Sequence, residues 1–145
     1  MPQLILHHFI PYRLSVAANA VSRRISESYR RRFGLKVAEW RVISILAEHE
    51  RMKPQDIGNT GELDKITVSR AASALIDRGL VAQKHNPGDG RSHFLELTAE
   101  GRSLYHEIAP AALRLETELL ADFSKEERAL LEQLLRRIEE AANSP

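Results

Sequence analysis

Residues 54–101 read PQDIGNTGELDKITVSRAASALIDRGLVAQKHNPGDGRSHFLELTAEG, and a change of period inside this stretch sets the architecture. Pro54 suits the first turn of a helix, where a missing amide hydrogen costs nothing, and predicts a short helix over 54–60. Gly58 and Gly61 lower the intrinsic stability of that helix. Asp64 can cap the next helix, predicted over 65–78, whose apolar stripe is Val68, Ala72 and Leu75 and whose end is marked by Gly79. After Gly79 the pattern turns from helical to extended. Residues 80–85 and 92–97 are predicted strands, and the turn-rich Asn86-Pro-Gly-Asp-Gly-Arg91 between them closes a hairpin.

Toward the N-terminus, Leu14, Ala18, Val21, Ile25 and Tyr29 form one stripe at spacings of three and four, which predicts a helix over 12–33 ended by Gly34. Val37, Trp40, Ile43 and Leu46 make the stripe of a second helix. On the other side, Thr98 can cap a long helix with Leu104, Ile108, Ala112, Leu115 and Leu119 on one face, bent by Pro110 in its interior. Ser124-Lys-Glu-Glu127 has the form of a capping box for a last helix carrying Leu131, Leu134, Leu135 and Ile138. The expected fold is mainly α with a small β-hairpin wing, and 145 residues fit a single domain or one half of a shared dimer core.

Apolar residues make up 43% and charged residues 28%, as in a globular protein with a real core. The chain has no cysteine, which excludes disulfides, thiolate chemistry and Cys-based zinc sites. His7 and His8 are adjacent and should point apart, a poor chelate, so no metal is expected. His85 and His93 lie equally far from Asp89 and could face each other across the hairpin, where solvated strand residues are the expected reading. No nucleophile elbow, His-Glu-x-x-His or phosphate-binding loop is present, so neither an enzyme nor a cofactor is expected. The apolar arm from Leu4 to Ile10 has no basic segment before it, and no run reaches membrane-spanning length. A cytoplasmic protein with no membrane partner is the expectation. Residues 13–36 hold seven basic side chains against one acidic, net +6, and residues 99–145 hold six against ten, net −4. This asymmetry fits terminal helices lying side by side, with solvated charged faces as the plain alternative.

Two short helices, a glycine-terminated helix and a polar-tipped hairpin follow in the order of a winged helix-turn-helix. The helix over 54–60 would brace the next one, leaving that one free to lie in the major groove of DNA while the hairpin tip reaches the backbone or minor groove. With Val68, Ala72 and Leu75 turned to the core, Lys65, Thr67, Ser69, Arg70 and Ser73 are left for DNA. Arginine can pair with guanine or phosphate, and serine and threonine with phosphates or a thymine methyl. A solvated face without a partner is the plain alternative for this helix alone. At the wing, Asp89 could fix the direction of Arg91, with Gly88 and Gly90 allowing the tight turn.

Three motifs carry a family resemblance: Leu75-Ile-Asp-Arg-Gly79-Leu80-Val81, Asp89-Gly90-Arg91 and Leu97-Thr98-Ala-Glu-Gly101. In these the chain resembles the MarR family of bacterial transcriptional regulators, with the flanking helices matching by pattern. The resemblance implies a winged helix-turn-helix over 35–101 and dimerisation helices over 1–34 and 102–145. It implies a homodimer on a palindromic operator in double-stranded DNA, with Ser69 and Arg70 in the major groove and Arg91 in the minor groove. It further implies a repressor relieved by a small aromatic or anionic effector, for which Tyr12, Arg13 and Trp40 could supply an aromatic wall and a cation. Glu62, close to the expected path of DNA, and the near-neutral net charge support the alternative of a winged-helix protein-interaction module without DNA binding. A third reading is an effector-binding protein that has lost DNA recognition.

Overall fold

The computed structural model describes residues 1–88 and 90–145. In chain order the elements are α1 (Ile10–Ile25), α2 (Arg30–Phe33), α3 (Val37–Glu48), α4 (Pro54–Gly61), α5 (Lys65–Asp77), β1 (Val81–His85), β2 (His93–Leu97), α6 (Ala99–Leu119) and α7 (Lys125–Asn143), with short 3-10 turns at Leu6–His8 and Ser26–Ser28. The chain is mainly helical with one antiparallel hairpin, and the expected fold class is the one observed.

The first predicted helix is in fact two. Ser26 and Ser28 hydroxyls donate to the carbonyls of Arg23 and Ile25, both at 2.6 Å, and these competing bonds tighten the chain into a 3-10 turn between α1 and α2. Tyr29 is thereby swung into the core. Gly34, at φ 65°, ends α2 as expected. His7 and His8 also depart from expectation: the tight turn at Leu6–His8 sets their rings 4.3 Å apart, neither extended nor fully helical. They remain two donors, and among the described residues no group of three or more metal-ligating side chains assembles.

The core centres on the unit from Leu35 to Leu97 and takes in Tyr29 before it. Val42, Ile43 and Leu46 of α3, Ile57 of α4, Val68 and Leu75 of α5 and Leu95 of β2 are all fully enclosed, and Ile108 of α6 joins them. Trp40 stacks between Tyr29 and Tyr105, at centroid distances of 5.6 and 5.7 Å, so an aromatic column ties α3 to α6. α6 is helical throughout Ala99–Leu119, with Pro110 inside it.

By contrast, α7 leaves Leu130, Leu131, Leu134, Leu135 and Ile138 exposed in the single chain, and Val16, Val21, Leu113 and Leu119 are exposed on α1 and α6. The expected complementarity between the ends of the chain takes the form of two exposed pairs, Arg24 with Glu118 at 3.6 Å and Arg32 with Glu107 at 3.9 Å. Among the described residues no helix is long and apolar enough to cross a membrane.

Candidate nucleic-acid interface

α5 starts where Asp64 accepts a hydrogen bond from the Thr67 amide at 2.7 Å. That amide and the Thr67 hydroxyl, with Arg70 adding a smaller attraction, hold the Asp64 carboxyl below its ordinary value. Thr67 is half-buried and engaged with Asp64, which fixes the helix start. At the other end the Leu80 amide donates to Leu75 and the Gly79 amide to Ile76, both at 2.9 Å, with Gly79 at φ 73°. This is a Schellman closure, and the packing of Leu80 with Leu75 inside the core completes it. The Leu75-x-x-x-Gly79-Leu80 motif is thus the physical end of α5.

The third motif bolts that end to α6. Thr98 Oγ1 accepts from the Gly101 amide at 3.0 Å and donates to the Gly79 carbonyl at 2.6 Å, while the Thr98 amide donates to Leu80 at 3.1 Å. α6 comes so close to Leu80 here that a Cβ at position 101 would collide with the Leu80 carbonyl. Arg78, the last residue before Gly79, donates to the Phe33 carbonyl at 2.8 Å and so joins the same end to α2. Both ends of α5 are fixed by the chain's own bonds.

The turn before α5 explains Gly58 and Gly61. A Cβ on Gly58 would meet the Leu63 carbonyl at 2.9 Å, and one on Gly61 would meet the Ile45 side chain at 2.8 Å. The glycines let α4 approach α3 and the turn closely, so the brace is compact where propensity alone suggests weakness. Arg41 donates to the Gly61 carbonyl at 3.2 Å, and Glu62 takes a left-handed conformation, φ 53°.

The hairpin pairs Val81 with Leu97 through to His85 with His93, so the two histidines oppose each other as the sequence suggests. Sequence reasoning missed an isolated β-bridge, in which Met52 exchanges both backbone hydrogen bonds with Leu95 at 3.0 and 2.8 Å and ties the wing to the segment before α4. On the outer face Lys84 and Arg51 reach Glu96 at 3.8 and 4.0 Å. At the tip the buried Asn86 accepts from the Gly88 amide at 3.0 Å and donates to Ser92 at 2.8 Å. This pair clamps the base of the loop that carries Arg91, which is exposed and engaged in interactions of its own. Asp89 lies outside the described residues, and with it the expectation that it aims Arg91.

Lys65, Ser69, Arg70 and Ser73 are exposed on α5, while Val68, Ala71, Ala72 and Leu75 are buried beneath them. Lys65, Ser69 and Ser73, spaced by four, line one groove of about 820 Å³ between α4, α5 and the inner face of the hairpin. Gln55 and Asn59 of α4 and Gln83 and His93 of the wing line the same groove. The sequence carried a signal for the last two: strand alternation puts Gln83 and His93 on the face of Leu95. Tyr12 and Arg13 lie on exposed α1, and neither they nor Trp40 lines this groove.

Known proteins of the same shape supply the context for this geometry. The HTH-type transcriptional regulator FarR of Neisseria gonorrhoeae is 31% identical over 109 residues, covering 73% of this chain and 75% of that protein. A MarR/EmrR family transcriptional regulator from Acinetobacter sp. ADP1 superposes with a TM-score of 0.87 at 26% identity, over 97% of this chain and 99% of that one. Sco3205, a MarR family transcriptional regulator from Streptomyces coelicolor solved in complex with DNA, shares the fold with a TM-score of 0.86 at 19% identity, over 99% of this chain and 93% of that one. Residues 33–92, from the end of α2 to the wing, match the MarR family itself. With its winged helix-turn-helix built on that pattern, the chain belongs to the MarR family of transcriptional regulators.

Proposed function

We propose that the protein works in the cytoplasm as a homodimeric repressor, presenting two copies of α5 to the major grooves of a palindromic operator and Arg91 of each wing to the adjacent minor groove. The observation that carries this reading is the split surface of α5. Lys65, Ser69, Arg70 and Ser73 project from a helix whose opposite face is buried and whose ends are both tied down. A rigid helix spends little ordering entropy on docking, and its short polar and long basic side chains suit base edges and phosphates. Exposed apolar faces on α1, α6 and α7 supply the surface a partner subunit would cover. A two-fold dimer matches a two-fold site, with recognition helices about 34 Å apart.

Occupying a promoter excludes polymerase, which makes repression the output. A small aromatic or anionic effector relieves it by favouring a dimer in which the two copies of α5 are differently spaced, and it does so only to the extent that it binds that shape better. Since Trp40 is committed to the aromatic column, the effector site of this reading, with Tyr12 and Arg13, needs the second subunit to complete it.

Selection of bound duplexes from a random pool tests the reading. Enrichment of a two-fold symmetric sequence with half-site centres about one helical turn apart supports it. A pool that shows no enrichment, or enriches a single asymmetric site, overturns it.

A further inference from the structure

One large apolar side chain of the winged unit stands well out in water. Between Leu35 and Leu97, among the described residues, the exposed large hydrophobic side chains are Val37, at 39% exposure, and Ile66, at 63%. A lone exposed isoleucine on an ordinary surface needs no explanation, but the place of this one does. Ile66 is the second residue of α5, inside the turn that the bond from the Thr67 amide to Asp64 closes. At about 100° per residue it falls about 10° from the direction opposite the centre of the buried set Val68, Ala71, Ala72 and Leu75. It therefore sits in the middle of the exposed arc of α5, among Lys65, Ser69, Arg70 and Ser73. Ser69 and Arg70, three and four residues on, are its direct neighbours on the helix surface. The face that reads as polar in every other respect thus carries an apolar group at its centre.

We infer that Ile66 packs on the C5-methyl group of a thymine in each half-site of the operator, a specificity contact of a kind that the polar side chains around it do not make. The inference rests on the DNA-binding reading above. In a helix-turn-helix the N-terminal residues of the recognition helix meet base edges in the major groove. That groove presents donors and acceptors at every base pair, and its apolar feature is the thymine methyl. An isoleucine set against an amino or carbonyl group would strip water from it and return no hydrogen bond, so the wrong base carries a penalty as well as lacking the contact. Branching at Cβ leaves isoleucine one strongly preferred rotamer in a helix. The side chain is therefore aimed before DNA arrives, on a turn already fixed by its cap. Lys65 and Arg70 supply charge for phosphates or guanine, while Ile66 reads a methyl group.

The test uses the full-length chain and a duplex that it selects from a random pool. Each thymine of the half-site is replaced in turn by deoxyuridine, in both half-sites at once, which removes the methyl and keeps the base pairing. Burial of one methyl group corresponds to a factor of about 4 in affinity, so replacement at the contacted position should weaken wild-type binding roughly 15-fold over the two half-sites. Ile66→Ala should bind the thymine and deoxyuridine duplexes alike at that position. Because the side chain is exposed and alanine favours helix, the variant should match wild type in thermal denaturation and sedimentation. A wild-type protein indifferent to every replacement, or an alanine variant that keeps the full preference for thymine, overturns the inference and leaves DNA binding in place. So does a loss on Ile66→Ala that is equally large on a scrambled duplex. If the wild-type protein selects no sequence at all, the DNA-binding reading falls and takes this inference with it.

Discussion

At Gly101 the first turn of α6 runs into the carbonyl of Leu80, and any side chain would have to push backbone away from backbone. Gly101→Ala is expected to cost about 3 kcal/mol, or roughly 10 °C in Tm, read by thermal denaturation. Asp64 acts at the same scale by charge. Its carboxyl is held below the ordinary value of 3.8 by the Thr67 amide and hydroxyl, so its stabilising share is fully present above 3.8 and is lost as pH falls through its folded value. Asp64→Asn keeps an acceptor at the cap and removes the titrating group. The variant's helicity near neutral pH should match wild type, while its acid denaturation curve should be less steep below 3.8. Arg91→Ala should leave fold and oligomer intact and weaken operator binding by about 1 to 3 kcal/mol in a salt-matched titration. Single residues differed in how far the sequence revealed them. Thr98 and Asp64 were legible as caps because capping is a local bond between near neighbours. Gly101 was legible only as part of a motif, since its reason is a close approach between segments about twenty residues apart. Asn86 was read as one turn residue among several because its bond to Ser92 needs the hairpin already folded.

Among the elements, α3 to α7 and the hairpin followed from periodicity and end signals, and the ranges predicted for α4, α5 and the two strands lie close to those observed. The failures share a cause. The stripe from Leu14 to Tyr29 keeps its helical spacing across the break at Ser26–Ser28, because one 3-10 turn hardly disturbs the count of residues; only the serine hydroxyls betray it. The Met52 contact is a single bridge, which leaves no alternation to detect. For the candidate site, the exposed face of α5 was readable as what remained after the core stripe was subtracted, whereas Gln55 and Asn59 enter the groove through the angle at which α4 crosses α5, which no local pattern encodes. The wing can be probed as a unit. Asn86→Ala removes the turn bond to Gly88 and the clamp on Ser92, a destabilisation of about 1 kcal/mol confined to the hairpin. Faster amide exchange in β1 and β2 with little change in α3 or α6 is the expected result, and slower or unchanged exchange would mean that the Met52 bridge alone holds the wing.

For the molecule as a whole, the winged unit is closed by its own core while α7 is not. Five large apolar side chains of α7 are exposed in the single chain, more than a helix of 19 residues can leave to water without a partner. Truncation after Phe123 should therefore abolish dimerisation in sedimentation equilibrium and lower stability in a way that no longer depends on protein concentration. A truncated chain that stays dimeric would move the interface to α1 and the N-terminal arm. Whether α5 and the wing together form a rigid reader of duplex sequence is decided by equilibrium titration of the purified protein with a selected duplex and its scrambled counterpart at one fixed salt concentration. The selected duplex should bind at least about 1,000-fold more tightly, with two subunits on each duplex. Equal affinity for the two sequences, or one subunit per site, would refute a sequence-reading role for α5.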